Sequence, residues 1–144
     1  MAVVIEEHPE VQVFDEISLI EHGVRMAISR ALPVGLTYPQ YLVLLTLWEE
    51  EGLPLKAIGA RLGLDSGTLT PLLRRMETAG LVTRSRDSED ERVVRINLTA
   101  KGRRLHAKAE TFPEKIGRAA QCSATELTAL RKLLFALRED LDAA

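Results

Sequence analysis

A mainly α-helical chain with one small β-hairpin is what the sequence predicts, and three observations predict it. Apolar residues recur at three-and-four spacing in several segments, the signature of amphipathic helices. Residues 81–98 depart from that spacing: they are rich in Val, Thr and Ile, and Val94, Ile96 and Leu98 alternate. Two capping boxes, Thr37 with Gln40 and Ser123 with Glu126, mark helix starts. The 144 residues suit one domain spanning 1–144, and with 4 % aromatics its core must be aliphatic.

Val13, Ile17, Ile20, Val24 and Ile28 form one stripe of a helix over about residues 12–31, which Pro33 and Gly35 end. The next helix starts at Thr37 with Pro39 in its first turn, and its run of Tyr41, Leu42, Val43, Leu44, Leu45, Leu47 and Trp48 is apolar on most sides. Such a helix belongs at the centre of a core. It stops near Glu51-Gly52, with Glu49, Glu50 and Glu51 read as a solvated end.

Two short helices follow. Leu55, Ile58 and Leu62 face one way on the first, which Gly63 closes. The second runs to Ala79-Gly80 with Leu69, Leu72, Leu73 and Met76 buried, and Ser66 or Thr68 as its cap leaves Pro71 in or near the first turn. Strands over 81–86 and 92–98 enclose a polar tip, Asp87 to Glu91. A basic helix from Thr99 reaches about Ala120 with an interruption at Pro113, and a last helix presents Leu127, Leu130, Leu133, Leu134, Leu137 and Leu141.

Net charge is −2, which at face value argues against a nucleic-acid partner. By segment it divides sharply. Residues 1–24 carry −6 and residues 61–104 carry +4, and nine of the ten bases in that second segment are Arg. Arginine suits bidentate contacts to phosphate and guanine. The single cysteine, Cys122, excludes an intrachain disulfide, no apolar run is long enough for a membrane span, and Met1 to Glu10 lack the basic start of a signal peptide. A cytoplasmic protein without membrane partners is expected. No nucleophile–base pair, paired carboxylates or phosphate loop stands out, so no enzyme activity and no cofactor are expected, and His8, His22 and His106 lack metal-ligand spacing.

Helix, turn, helix and hairpin in that order are the winged helix-turn-helix arrangement, here over about residues 36–98. Its second helix would enter the major groove of double-stranded DNA, offering Ser66, Gly67, Thr68, Thr70, Pro71, Arg74 and Arg75. Arg84, Arg86 and Arg92 on the hairpin complete the candidate contacts, with Arg86 or Arg92 near the minor groove, whose potential attracts arginine. The helices over about 12–32 and 99–144 exceed what such a core needs. As dimerisation helices of a homodimer they would set two reading heads about 34 Å apart, one turn of DNA; folding back on their own core is the alternative. A winged-helix module that binds protein instead of DNA is a further alternative.

The runs Leu36-Thr37-Tyr38-Pro39-Gln40-Tyr41 and Leu62 to Leu73, with Asp90-Glu91-Arg92 and then Leu98-Thr99-Ala100-Lys101-Gly102, resemble the MarR family of bacterial transcription regulators. The closest branch is the organic-hydroperoxide-sensing, OhrR-like one. The resemblance implies a homodimer with intertwined terminal helices that binds a pseudopalindromic operator as a repressor, and it implies that Asp90 holds Arg92 at the wing. That branch carries a reactive cysteine in its first helix; here the window Val13 to Ser18 has none, and Ser18 is the candidate replacement. Cys122 resembles the resolving cysteine of some such sensors and has no first-helix partner for that disulfide.

Cys122 also precedes a helix N-terminus, where a thiol pKa can fall, which makes redox control through Cys122 one reading of the signal. A small-molecule effector is the other. His22 and Arg25, one helical turn apart, with Tyr38 and Tyr41, are the candidate ligand-binding residues, although Arg25 has Glu21 and Glu16 within reach as ion-pair partners.

Overall fold

The computed structural model describes residues 9–32 and 35–144. Glu6, Glu7 and His8 of the acidic arm, and Pro33 at the predicted helix break, lie outside the described residues. The chain falls into two compact units, residues 1–110 and 111–144. The first holds α1 (Pro9–Ala31), α2 (Tyr38–Glu49), β1 (Leu53–Pro54), α3 (Leu55–Leu62), α4 (Ser66–Thr78), β2 (Val82–Arg86), β3 (Val94–Leu98) and α5 (Ala100–Ala109). The second holds α6 (Phe112–Ala120) and α7 (Ala124–Ala143).

The two capping boxes are realised as read. Thr37 accepts the Gln40 N–H while the Gln40 side chain accepts the Thr37 N–H, and Pro39 sits in the first turn of α2. As its pattern requires, α2 lies in the core: Val43, Leu44 and Leu47 are fully buried with Ile58 of α3, Leu69, Leu73 and Met76 of α4, and Val82 and Ile96 of the sheet. Gly63 ends α3 in the left-handed region, at φ +65°.

Three details differ from the sequence reading. The hairpin gains a third strand, in the order β1-β3-β2, because Leu53 and Pro54 pair antiparallel with Ile96 and Arg95. Asp65, not Ser66 or Thr68, caps α4 by accepting the Thr68 N–H at 2.8 Å. Pro71 therefore stands inside the helix, in its second turn, where the ring removes the hydrogen bond that Gly67 C=O would receive. Finally, the acids after α2 are not simply solvated. Glu50 pairs with Arg61 at 2.5 Å, and Glu51 pairs with Arg103 and accepts the Leu98 N–H at 3.1 Å.

The entry to α5 explains the Leu-Thr-x-x-Gly run. Thr99 caps the helix through the Gly102 N–H at 3.0 Å, and its hydroxyl donates to Gly80 O at 2.5 Å. Gly102 lies so close to β2's approach that a Cβ there would overlap Leu81 O. Its carbonyl accepts Trp48 Nε1–H from α2 at 3.0 Å, and the Trp48 ring stands 4.9 Å from that of His106.

The predicted interruption near Pro113 falls at Glu110–Thr111, leaving Pro113 in the first turn of α6. Gln121 adopts φ +52°, and Ser123 and Glu126 form the capping box of α7. Two helix faces are apolar and exposed. On α1, Val13, Ile20 and Val24 face solvent, with Ile20 57 % exposed, while Ile28 is buried. On α7, Leu130, Leu133, Leu134, Phe135 and Leu141 do the same, with Leu133 71 % exposed.

Candidate nucleic-acid interface

Burial divides α4 into two faces. Leu69, Leu72, Leu73 and Met76 pack inward, which turns Ser66, Gly67, Thr68, Pro71, Arg74 and Arg75 to solvent and leaves Thr70 half-buried. Among the described residues, the Arg74 and Arg75 guanidiniums have no hydrogen-bond or ion-pair partner. Two cations without a partner among the described residues therefore stand on the outer face of a helix whose first three residues, Ser66, Gly67 and Thr68, are exposed. Such a surface suits a polyanion.

The hairpin β2–β3, the wing, carries the remaining cations. Arg84 forks onto Glu77 of α4, with Nε and Nη2 each 3.2 Å from a carboxylate oxygen. The Arg84 hydrogen bonds hold the Glu77 carboxyl below the usual carboxylate range. Arg86 Nη1 donates to Glu91 O at 2.8 Å across the tip. Asp90 accepts Arg92 N–H and Nε–H at 3.1 Å and Nη2–H at 3.3 Å, and these bonds lower its pKa. Even so paired, the Arg92 side chain is 91 % exposed, so its guanidinium is presented at the tip.

Sequence reasoning missed two residues of this wing. Arg95 donates to Asp87 at 2.6 Å and to Gly52 O at 2.9 Å. Asp87 also accepts the Glu89 and Asp90 N–H groups at 3.1 Å each, and Arg95 followed by these N–H groups lowers its pKa. The signal was available only through register. Once Ser85 is paired with Arg95 and Arg86 with Val94, Asp87 lies diagonal to Arg95 on the same strand pair.

The candidate effector residues are less assembled. His22 and Arg25 are exposed on α1, and Arg25 pairs with Glu21 at 2.5 Å. Tyr41 is buried edge-on to Trp48, with ring centroids 6.2 Å apart, and burial followed by the neighbouring Tyr38 raises its pKa. Tyr38 is half-buried. Cys122 is exposed between Gln121 and the α7 cap. Among the described residues, no cluster of three or more His, Cys, Asp or Glu is arranged for a metal ion, and no helix is long and apolar enough to cross a membrane.

A model of the MarR family matches residues 36–94, the segment from the α2 cap to the start of β3. Over 108 residues the chain is 56 % identical to the HTH-type transcriptional regulator TtmR of Methylorubrum extorquens, a match covering 75 % of this chain and 55 % of that protein. The chain thus spans little more than half of that relative's length. It is 50 % identical over 108 residues to the organic hydroperoxide resistance transcriptional regulator of Bacillus subtilis, covering 75 % of this chain and 74 % of the relative. Among solved structures, the PcaV transcriptional regulator of Streptomyces coelicolor, in complex with its natural ligand, superposes with a TM-score of 0.82 at 26 % identity, over 96 % of this chain and 97 % of PcaV. Reduced AbfR bound to DNA, AbfR being a Staphylococcus epidermidis protein, superposes with a TM-score of 0.75 at 34 % identity, over 90 % of this chain and 91 % of AbfR. With the helix pair and wing in the matched segment and a regulator half identical across three quarters of the chain, this protein belongs to the MarR family of transcriptional regulators.

Proposed function

We propose that this chain is a sequence-specific DNA-binding repressor that acts in the cytoplasm as a homodimer on a pseudopalindromic operator and is released by a small-molecule ligand. The observation that carries the DNA reading is the outer face of α4, where Arg74 and Arg75 are unpaired among the described residues, together with Arg92 standing 91 % exposed on the wing. In this reading Ser66, Gly67, Thr68, Thr70, Pro71, Arg74 and Arg75 meet the major groove. Arg84 and Arg86 lie along the phosphates, and Asp90 aims Arg92 at the minor groove. The homodimer is supported by the exposed apolar faces of α1 and α7, which a second copy would cover.

A gel-shift titration of the chain's own upstream region across a salt series tests this. A discrete complex whose log affinity falls steeply with log salt is expected. Affinity no greater than for random duplex overturns it.

The ligand reading draws support from PcaV, a similar regulator solved with its natural ligand. An anion displacing Glu21 from Arg25, beside His22, Tyr38 and Tyr41, is the recognition we assign to it. An exposed i,i+4 pair is marginal and yields to a better partner. One observation favours redox control instead: Cys122 is exposed, in a chain 50 % identical over 108 residues to an organic hydroperoxide resistance regulator. Replacing Cys122 by Ser separates the two. The redox reading requires that the variant stay on DNA in organic hydroperoxide while the parent leaves it.

A further inference from the structure

The wing tip, residues 87–93, is a loop without regular structure that must nevertheless hold Arg92 in one direction. Its ties are few, and one comes from β2, where Arg86 Nη1–H donates to Glu91 O at 2.8 Å. Asp87 N–H donates to Val93 O at 2.9 Å, Val93 N–H donates to Asp90 O at 2.9 Å, and Asp87 gathers the Glu89 and Asp90 N–H groups on one carboxylate oxygen. The other oxygen of Asp87 takes Arg95 Nε–H at 2.6 Å, and the Asp87 side chain is 17 % exposed, an enclosed acid in an otherwise open tip.

Arg95 reaches the other way as well. Its Nη1 donates at 2.9 Å to Gly52 O, 43 residues distant on the turn between α2 and β1. That turn is itself fixed. Gly52, at φ +80°, donates its N–H to Ile96 O at 3.0 Å, and the adjacent Glu51 is held by Leu98 N–H and by Arg103 of α5. A continuous series of polar contacts thus runs from the body of the fold through Arg95 and Asp87 to the Asp90 N–H, and from the Asp90 carboxylate to Arg92.

We infer that Arg95 is the positioning residue of the wing: it anchors the tip to the α2–β1 turn and so delivers Arg92 to DNA, without being a DNA contact itself. The fork geometry is what allows this. One planar guanidinium serves two acceptors in different directions, which an ammonium cannot do from a single rigid plane. The inference rests on the DNA-binding reading proposed above for its consequence at the operator, though not for its consequence at the tip.

Two measurements on the whole 144-residue chain test it, using Arg95→Met, Arg95→Lys, Arg92→Ala and the double variant Arg92→Ala/Arg95→Met. The first needs no DNA. Backbone 15N order parameters of residues 88–92 should fall from the rigid range near 0.85 to below about 0.6 in Arg95→Met, with the helices unchanged. The second is operator affinity against salt. Arg92→Ala should weaken binding about tenfold and reduce the salt slope by about one. Arg95→Met should reproduce both effects, and the double variant should bind within about twofold of either single, since residues acting through one contact are not additive. A fold merely weakened by Arg95→Met would shift affinity equally at every salt concentration and leave the slope intact. Arg95→Lys should behave as Arg95→Met, because charge alone does not rebuild the fork.

An unchanged tip in Arg95→Met overturns the inference whatever the DNA results. So does a double variant weakened by the product of the two single effects, or wild-type binding by Arg95→Lys. If the wild type shows no specific binding while the tip of Arg95→Met still loses order, the DNA reading fails and the anchor stands.

Discussion

Arg84 of β2 and Glu77 of α4 are joined at two points, each nitrogen–oxygen distance 3.2 Å. The pair ties the wing strand to the helix that carries Arg74 and Arg75, so the two surfaces assigned to DNA are held by one another as well as by the core beneath them. The two side chains are 31 % and 40 % exposed, which makes the tie a device for orientation more than for stability.

Its pH dependence follows from the direction of the Glu77 shift. The Arg84 hydrogen bonds lower the folded-state pKa of Glu77. The contribution is therefore fully present above the unfolded value, near 4.3, and is lost as pH falls through the lower folded value. Arg84→Met should lower the melting temperature at pH 7, and its deficit relative to the parent should shrink as pH falls below the unfolded value. A deficit that stays the same size as pH falls, in circular-dichroism melts, contradicts the assignment.

Gly102→Ala sets two known effects against each other. Alanine is favoured over glycine inside a helix by about 1 kcal/mol. The added Cβ, however, meets the Leu81 carbonyl, a backbone group that cannot turn aside, and overpacking of this kind costs about 1–3 kcal/mol. Net destabilisation in urea unfolding is expected, with a shifted emission from Trp48 as its Nε1–H loses Gly102 O. A stabilised variant with parental emission would show that the close approach is absent.

How much of this was legible beforehand differs by element. Thr37, Thr99 and Ser123 announce their helices because a cap is a local hydrogen bond between residues three apart. The α4 stripe of Leu69, Leu72, Leu73 and Met76 was equally plain, because helical period and burial coincide there. The cap Asp65 is not evident from sequence: Pro71 favours a later start, with Ser66 or Thr68 as cap, and the helix instead absorbs the proline in its second turn. Leu53 and Pro54 are too short a strand to show any period, and only β3 as a partner defines them. The roles of Arg95 and Glu51 are invisible without the fold, since Gly52 lies 43 residues from Arg95 and Arg103 lies 52 from Glu51. The exposed cations of the candidate interface were legible by type and spacing, while which of them are tied down was not.

The proposed homodimer makes the apolar face of α7 decisive. Leu130 and Leu134 are exposed in the chain, so glutamate at both positions removes little burial within the chain itself. Leu130→Glu/Leu134→Glu should keep its helical circular dichroism and move from twice the chain mass to the chain mass in sedimentation equilibrium. A variant that stays dimeric places the interface elsewhere.

Whether the basic segment reads DNA is the central question, and the salt dependence of operator binding tests it most directly. For the wild type, log affinity for the upstream duplex should fall linearly and steeply with log salt. Arg84→Ala/Arg86→Ala should weaken binding and flatten the slope by about one for each phosphate no longer neutralised. Affinity for the upstream duplex equal to that for random duplex, or a slope that those substitutions leave unchanged, would contradict it.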